Sequence, residues 1–457
     1  MKLYLSTLFL IFAILYSEIP EYDFNTIKDI ASKSYQYRKI EVDNLNYRIT
    51  SNKNKFYWIP DLSLDFSSNP YNYHKNSDTT LVANSLSSSL LLSQKLPMNS
   101  SLSLRYQLNK NGSDGSYDNN YQSTTIAFEK SFYPFELFFH ESELLNFEEK
   151  ISKIRYLNST TSYQFSLISN FFYFYQKQEE LKNQELGFEL SKDNYETGKK
   201  KYNIGLIPEV DMFEMELYFE QRKLSYEKAL DDFNRSKIQF YDFLDYEDVD
   251  FTVQIEEIST VKFTPDSTDF STALSNSITF IQAEKDLLNS RNNIGETYRN
   301  ELVTGTISAS YGFDNDNDFG NYLDDIDKNG SVSLTLRVPL FNEMNFLNKL
   351  DRSNLEYKLA IENKAKILKE LKTEFDNKIK SLNFNFQSLH ISEKSYDLAQ
   401  KIYDISKRRY EEGLITSNDF ISHQQKLDES KQNLLNDKID YLLSIYEYKK
   451  FIGEYLY

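Results

Sequence analysis

Four histidines, His74, His140, His390 and His423, are the only imidazoles in the 457 residues, and no two stand at the spacing of a metal-ligand pair. There is no cysteine, which excludes thiol catalysis, cysteine metal sites and disulfides. No Gly-x-Ser-x-Gly elbow and no phosphate-cradling glycine loop occurs. Adjacent carboxylates such as Glu148 and Glu149 lie in a lysine-rich helical stretch and read as a solvated face, not an acid/base pair. The residues therefore point to no enzyme, no metal and no cofactor.

The chemistry that does stand out is conformational. Tyr202-Asn-Ile-Gly205-Leu206-Ile207 is answered by Tyr410-Glu-Glu-Gly413-Leu414-Ile415. Glycine suits the left-handed backbone that ends a helix. Pro208 can open the next helix at no hydrogen-bonding cost. Thr416 and Asp419 have capping-box spacing. Asp211 and Asp419 fall in first turns, where the helix dipole favours a carboxylate. Taken alone, these are two well-capped helical hairpins; taken together, they could be the tips of a tunnel mouth.

The elements that position these turns are long. Residues 135–202 contain no proline and only two glycines, Gly187 and Gly198. Apolar residues recur there three and four apart, as in Leu144, Phe147, Ile151 and Ile154. At ~1.5 Å per residue, such a helix approaches about 100 Å and must lie along other helices, coiled-coil fashion. Residues 342–409 read the same way.

Two regions switch to a period of two. Val303, Gly305, Ile307, Ala309 and Tyr311 alternate with Ser and Thr. Beyond a polar loop at 314–330, Val332, Leu334, Leu336, Val338 and Leu340 do so again. The earlier region offers Leu62, Leu64 and Phe66, then Ile126, Phe128 and Phe132. Strands with one apolar and one polar face suit either a membrane barrel or a soluble sandwich. One chain supplies too few strands to close a barrel, so closure would take several chains.

The chain reads as an internal duplication. Gly205 and Gly413 are 208 residues apart, and so are Asp211 and Asp419, Ile126 and Leu334, and Tyr133 and Phe341. The expected organisation is a signal peptide at 1–17, a first repeat at 18–245, a connector at 246–268 and a second repeat at 269–457. Strands insert at about 57–133 and 301–341, and tip turns fall at about 203–208 and 411–416. The first insertion spans 77 residues and the second 41. The surplus, about 84–109, alternates as well and is expected to be an elongated surface hairpin, the other reading being two extra strands. A short strand is expected at Phe251–Ile255.

Composition fits an exported chain. Leu3–Tyr16 is apolar, follows Lys2 and is too short to span a bilayer comfortably, as in a signal peptide. Lys and Arg number 52 against 69 Asp and Glu, a net charge of −17 that disfavours nucleic acid as a partner. Gly and Pro are scarce, at 12 and 8, which fits long elements.

The Tyr-x-x-Gly turns with their downstream aspartates, and Val332–Phe341 (VSLTLRVPLF), resemble the TolC family of outer-membrane factors across nearly the whole chain. The resemblance implies a mixed α and β membrane protein. Long antiparallel coiled-coil helices would form an α-barrel in the periplasm. Strands from a homotrimer would share one transmembrane β-barrel among outer-membrane lipid, four strands per chain. The function implied is a passive exit duct for a tripartite efflux pump or type I secretion system. A periplasmic adaptor and an inner-membrane transporter would be its partners. The resemblance maps Gly205, Leu206, Gly413 and Leu414 onto adaptor-docking turns, and Asp211, Tyr410 and Asp419 onto the periplasmic constriction. Asp211 and Tyr410 would tie a hairpin shut, and Asp419 would form an acidic ring. Ile415 stands where the family has a basic lock and Ser422 where it has a second acidic ring, so this mouth would close with fewer ionic ties. The rival reading is an exported coiled-coil scaffold or adhesin with a soluble β domain. A closed single-chain porin is disfavoured by the predominance of helix.

Overall fold

The computed structural model describes residues 20–56, 59–75, 80–96, 100–113, 119–132, 141–246, 250–255, 261–315, 327–340 and 343–457. The expected signal peptide, Tyr133 and Phe341 lie outside them. The chain divides into two compact units. A helical unit takes the residues up to Tyr47 with Ile151–Ile281 and Leu368–Tyr457, and a sheet unit takes Arg48–Lys150 with Gln282–Ile367. Each unit draws on both halves of the sequence, so the spatial units are not the sequential repeats.

In chain order the elements are β1 (Glu21–Tyr22), α1 (Phe24–Ala31), α2 (Tyr35–Lys55), β2 (Asp61–Lys75), β3 (Thr80–Leu96), β4 (Ser100–Ser113), β5 (Asn119–Phe132), α3 (Glu141–Asn203) and α4 (Glu209–Leu244). Then come β6 (Thr252–Val253), α5 (Asp269–Asn276), α6 (Ile278–Glu301), β7 (Thr304–Asn315), β8 (Asp327–Arg337), α7 (Glu343–Glu411) and α8 (Ser417–Ile452). The strand expected at Phe251–Ile255 is only β6, because two residues pair in parallel with β1: Glu21 with Thr252 and Tyr22 with Val253.

Helical periodicity builds the core of the helical unit. On α7, Phe375, Leu382 and Leu389 are buried at intervals of seven, the spacing of a coiled-coil seam. On α3, Leu167, Phe171 and Phe174 turn one apolar stripe inward and meet Phe240 and Leu244 of α4. Phe174 and Phe240 stack at 5.1 Å between ring centroids. Fully burying a phenylalanine side chain contributes about 1.5–3 kcal/mol. Two polar groups in this core are paired: the Tyr163 hydroxyl donates to Ala31 O at 2.6 Å, and Phe251 N donates to the Tyr241 hydroxyl at 2.8 Å.

The sheet unit holds one antiparallel sheet of six strands in the order β2-β3-β4-β5-β7-β8. Within the stretch 84–109, residues 84–96 belong to β3 and 100–109 to β4, and these strands sit between β2 and β5. The expected separate surface hairpin is therefore corrected: both extra segments are interior strands, each hydrogen-bonded on two sides. The four strands per chain implied by the resemblance are likewise corrected to six. β8 starts at Asp327, inside the stretch read as loop, because its backbone pairs onward to β7 as far as Asp314. Pro70, which lacks an N–H, falls where the β2–β3 register shifts between Asn69 and Asn72. The polar face is laced by serines: Ser308 with Ser333 at 2.6 Å and Ser310 with Ser331 at 2.8 Å. In the same unit Glu148 pairs with Lys285 at 2.9 Å, consistent with a solvated ionic face.

Candidate functional site at the helical turns

The turns after α3 and α7 share one hydrogen-bond scheme. Gly205 N donates to Tyr202 O at 2.8 Å and Leu206 N to Lys201 O at 2.9 Å. Gly413 N donates to Tyr410 O at 3.1 Å and Leu414 N to Arg409 O at 2.8 Å. Both are Schellman ends, which satisfy the last carbonyls of the helix. They require a left-handed residue, and Gly205 and Gly413 have φ of +75° and +74°. An added Cβ at either would meet nothing within 4 Å, so the backbone angle, not space, calls for glycine.

The turn side chains face solvent. Leu206 is 69% exposed and Leu414 67%. Ile204 and Val210 are exposed beside Leu206, so the first turn presents a small apolar surface, whereas the second presents Leu414.

The two following helices start differently. Thr416 is the N-cap of α8: its Oγ1 accepts from Asp419 N at 3.1 Å and donates to the Asp419 carboxylate at 2.9 Å. Asp419 is thus exposed and held in the first turn by its own cap. Pro208 is the N-cap of α4, one position earlier than expected, and offers no side-chain hydrogen bond. Asp211 occupies the first turn of that helix without such a partner hydroxyl.

Tyr410 gathers the site. Its ring stacks on Phe420 of α8 at 4.8 Å with planes 5° apart, and Lys201 Nζ of α3 lies 5.1 Å from its centroid. Its hydroxyl points to Met215 Sδ of α4 at 3.9 Å. Burial raises the Tyr410 pKa, a hydrogen bond with Ser417 opposes this, and the Asp211 charge adds to the rise. The Asp211 charge is thus felt at the Tyr410 hydroxyl. Asp419 lies on the exposed first turn of α8, next to Phe420.

Sequence reasoning missed a second polar cluster in this unit. Arg222 of α4, 12% exposed, forms an ion pair with Asp428 of α8 at 2.5 Å. Burial raises the Asp428 pKa and the guanidinium opposes the rise. A Cβ on Gly187 would lie 1.9 Å from an Arg222 nitrogen, and one on Gly198 would lie 2.2 Å from Met215 Sδ. The two glycines of a proline-free helix were the available signal, since they mark close approach of another side chain. Among the described residues no group of His, Cys, Asp and Glu could hold a metal, and no helix is long and apolar enough to cross a membrane.

No protein-family model matches the chain, and no curated protein matches it in sequence. Solved structures do match. The outer-membrane channel OprN superposes with a TM-score of 0.66 at 11% identity, over 94% of this chain and 89% of that one. The outer membrane protein VceC from Vibrio cholerae gives 0.63 at 12%, over 94% and 96%. The Campylobacter jejuni CmeC outer membrane channel gives 0.60 at 15%, over 94% and 85%. Along nearly its whole length, the chain has the fold of these outer-membrane channel proteins.

Proposed function

We propose that this chain is one subunit of a homotrimeric outer-membrane channel-tunnel that catalyses no reaction. It gives a passive exit duct to a tripartite efflux pump or type I secretion system. One observation carries the reading: a six-stranded sheet exposes an apolar face along its whole width and leaves β2 and β8 with unpaired edges. Every residue of β8 is exposed, including Val332 at 81%. A soluble scaffold would leave that face and those edges in water, at the risk of aggregation. Lipid and sister chains cover them in a barrel. The helices then stand in the periplasm as a tunnel.

Internal duplication is supported by element starts and caps. α4 and α8 are each 36 residues and begin 208 residues apart, at Glu209 and Ser417. β5 and β8 begin at Asn119 and Asp327, the same interval. The left-handed caps Asp245 and Gly453 keep it too.

The exposed turns around Gly205, Leu206, Gly413 and Leu414 dock a periplasmic adaptor, which in turn engages an inner-membrane transporter. Asp211, Tyr410 and Asp419 form the constriction. Three Asp419 carboxylates around one axis would repel one another and attract cations. Purified protein in planar bilayers should give stepwise, cation-selective conductance, and Asp419→Ala should reduce the selectivity. Absence of conductance steps contradicts the channel. Unchanged selectivity and conductance in Asp419→Ala would discard the acidic ring.

A further inference from the structure

β3 and β4 carry the same two-faced pattern as the strands beside them. Cross-strand neighbours on one face run Leu62, Leu92, Leu104, Ile126 and Tyr311, across β2, β3, β4, β5 and β7. The adjacent row runs Gln94, Leu102, Phe128, Ala309 and Val332. On the opposite face one row is Ser93, Ser103, Ala127, Ser310 and Ser331. Leu90, Leu92, Leu102 and Leu104 are between 36% and 42% exposed, although they lie in the interior of the sheet.

The charges mark a boundary. On its apolar face β4 carries Leu102, Leu104, Tyr106 and Leu108 and no charge before Lys110, while Arg105 falls on the opposite face. Ten residues at ~3.3 Å, tilted by ~40°, rise about 25 Å, which is the height of a lipid-facing band. Topology leaves no room for a flap. β2 reaches β5 only through β3 and β4, so a wall that contains β2 and β5 contains all four.

We infer that β3 and β4 are lipid-facing wall strands, so that the pore closed by three copies is an eighteen-stranded barrel. The inference rests on the channel reading above and deepens it. With strands ~4.8 Å apart and tilted by ~40°, eighteen close at about 36 Å between backbones and twelve at about 24 Å. The wider lumen admits correspondingly bulkier cargo, and its wall carries Ser and Thr hydroxyls together with the charged side chains of Asp65, Arg105 and Glu129.

The cysteine-free chain suits single-cysteine labelling. Leu90→Cys and Leu104→Cys, each carrying an environment-sensitive dye and reconstituted into vesicles, test β3 and β4. Ile126→Cys and Leu334→Cys report on β5 and β8. Doxyl-labelled lipid should quench all four to a similar extent. Ser103→Cys should escape quenching and react with a water-soluble maleimide. Quenching at Ile126→Cys and Leu334→Cys but not at Leu90→Cys or Leu104→Cys overturns the eighteen-stranded wall and leaves the channel standing. No quenching at any of the four overturns both. As a second arm, deletion of Thr80–Ser113 keeps β2 antiparallel to β5. It should lower the polymer-exclusion radius, measured from the strand-loop side, by about 6 Å. An unchanged radius in an assembled deletion variant also overturns the wide barrel.

Discussion

The Tyr218 hydroxyl is buried beside the Arg222–Asp428 ion pair without a hydrogen-bond partner. Burial is the main reason its pKa is pushed up to about 12 from 10.0. Between those values the unfolded chain has released this proton and the folded one has not. The contribution of Tyr218 to stability is therefore full below about pH 10 and is lost as pH rises from 10 towards 12. Tyr218→Phe removes one proton from that alkaline dependence. At pH 7 it should be neutral or stabilising by about 1 kcal/mol, because it deletes an unsatisfied buried group. Urea unfolding at pH 8 and pH 11 checks both; a loss above about 2 kcal/mol at pH 7 would show that the hydroxyl is used. The cluster was hidden in sequence because Arg222 sits between Gln221 and Lys223 and looks like surface. Asp211 and Tyr410 are 199 residues apart, so only the family resemblance, not local pattern, could suggest pairing them.

At the scale of elements, four long helices end on left-handed caps, and three of the caps are glycine. The exception, Asp245, has φ of 58° and is compensated by its carboxylate, which accepts from Tyr35 N at 3.1 Å. Surroundings separate the glycines. Gly413 has open space, whereas a Cβ on Gly453 would meet Asn276 side-chain atoms at 2.6–2.9 Å. Gly413→Ala should cost about 1 kcal/mol and Gly413→Asn less, and Gly453→Ala should cost more than either. Thermal unfolding of the three variants orders them; equal losses would mean that φ alone decides. These turns were legible because glycine and proline punctuate locally. The placement of β3 and β4 was not. Leu90 and Leu92 beside Ser89 and Ser93 alternate equally well in a free hairpin and in a sheet interior. What decides is the partner strand, and β4 pairs with β5 over twelve registered positions that no local pattern encodes.

For the whole molecule the central claim is closure of the sheet by sister chains. The sheet ends on β2 and β8, whose outer edges offer unpaired N–H and C=O groups. The apolar stretch Leu3–Tyr16 suggested export, the long Pro-poor segments suggested coiled-coil helices, and the absence of cysteine assigned stability to packing and assembly. None of these could count strands. Cross-linking measures closure directly. A small panel of variants should pair one cysteine on β2, near Leu64, with one on β8, near Leu334, and be oxidised in membranes. The account predicts that at least one register gives a covalent trimer on denaturing gels with no species beyond it, since three edges close a ring. A ladder of dimers, tetramers and larger species, or monomer alone in every register, would contradict it.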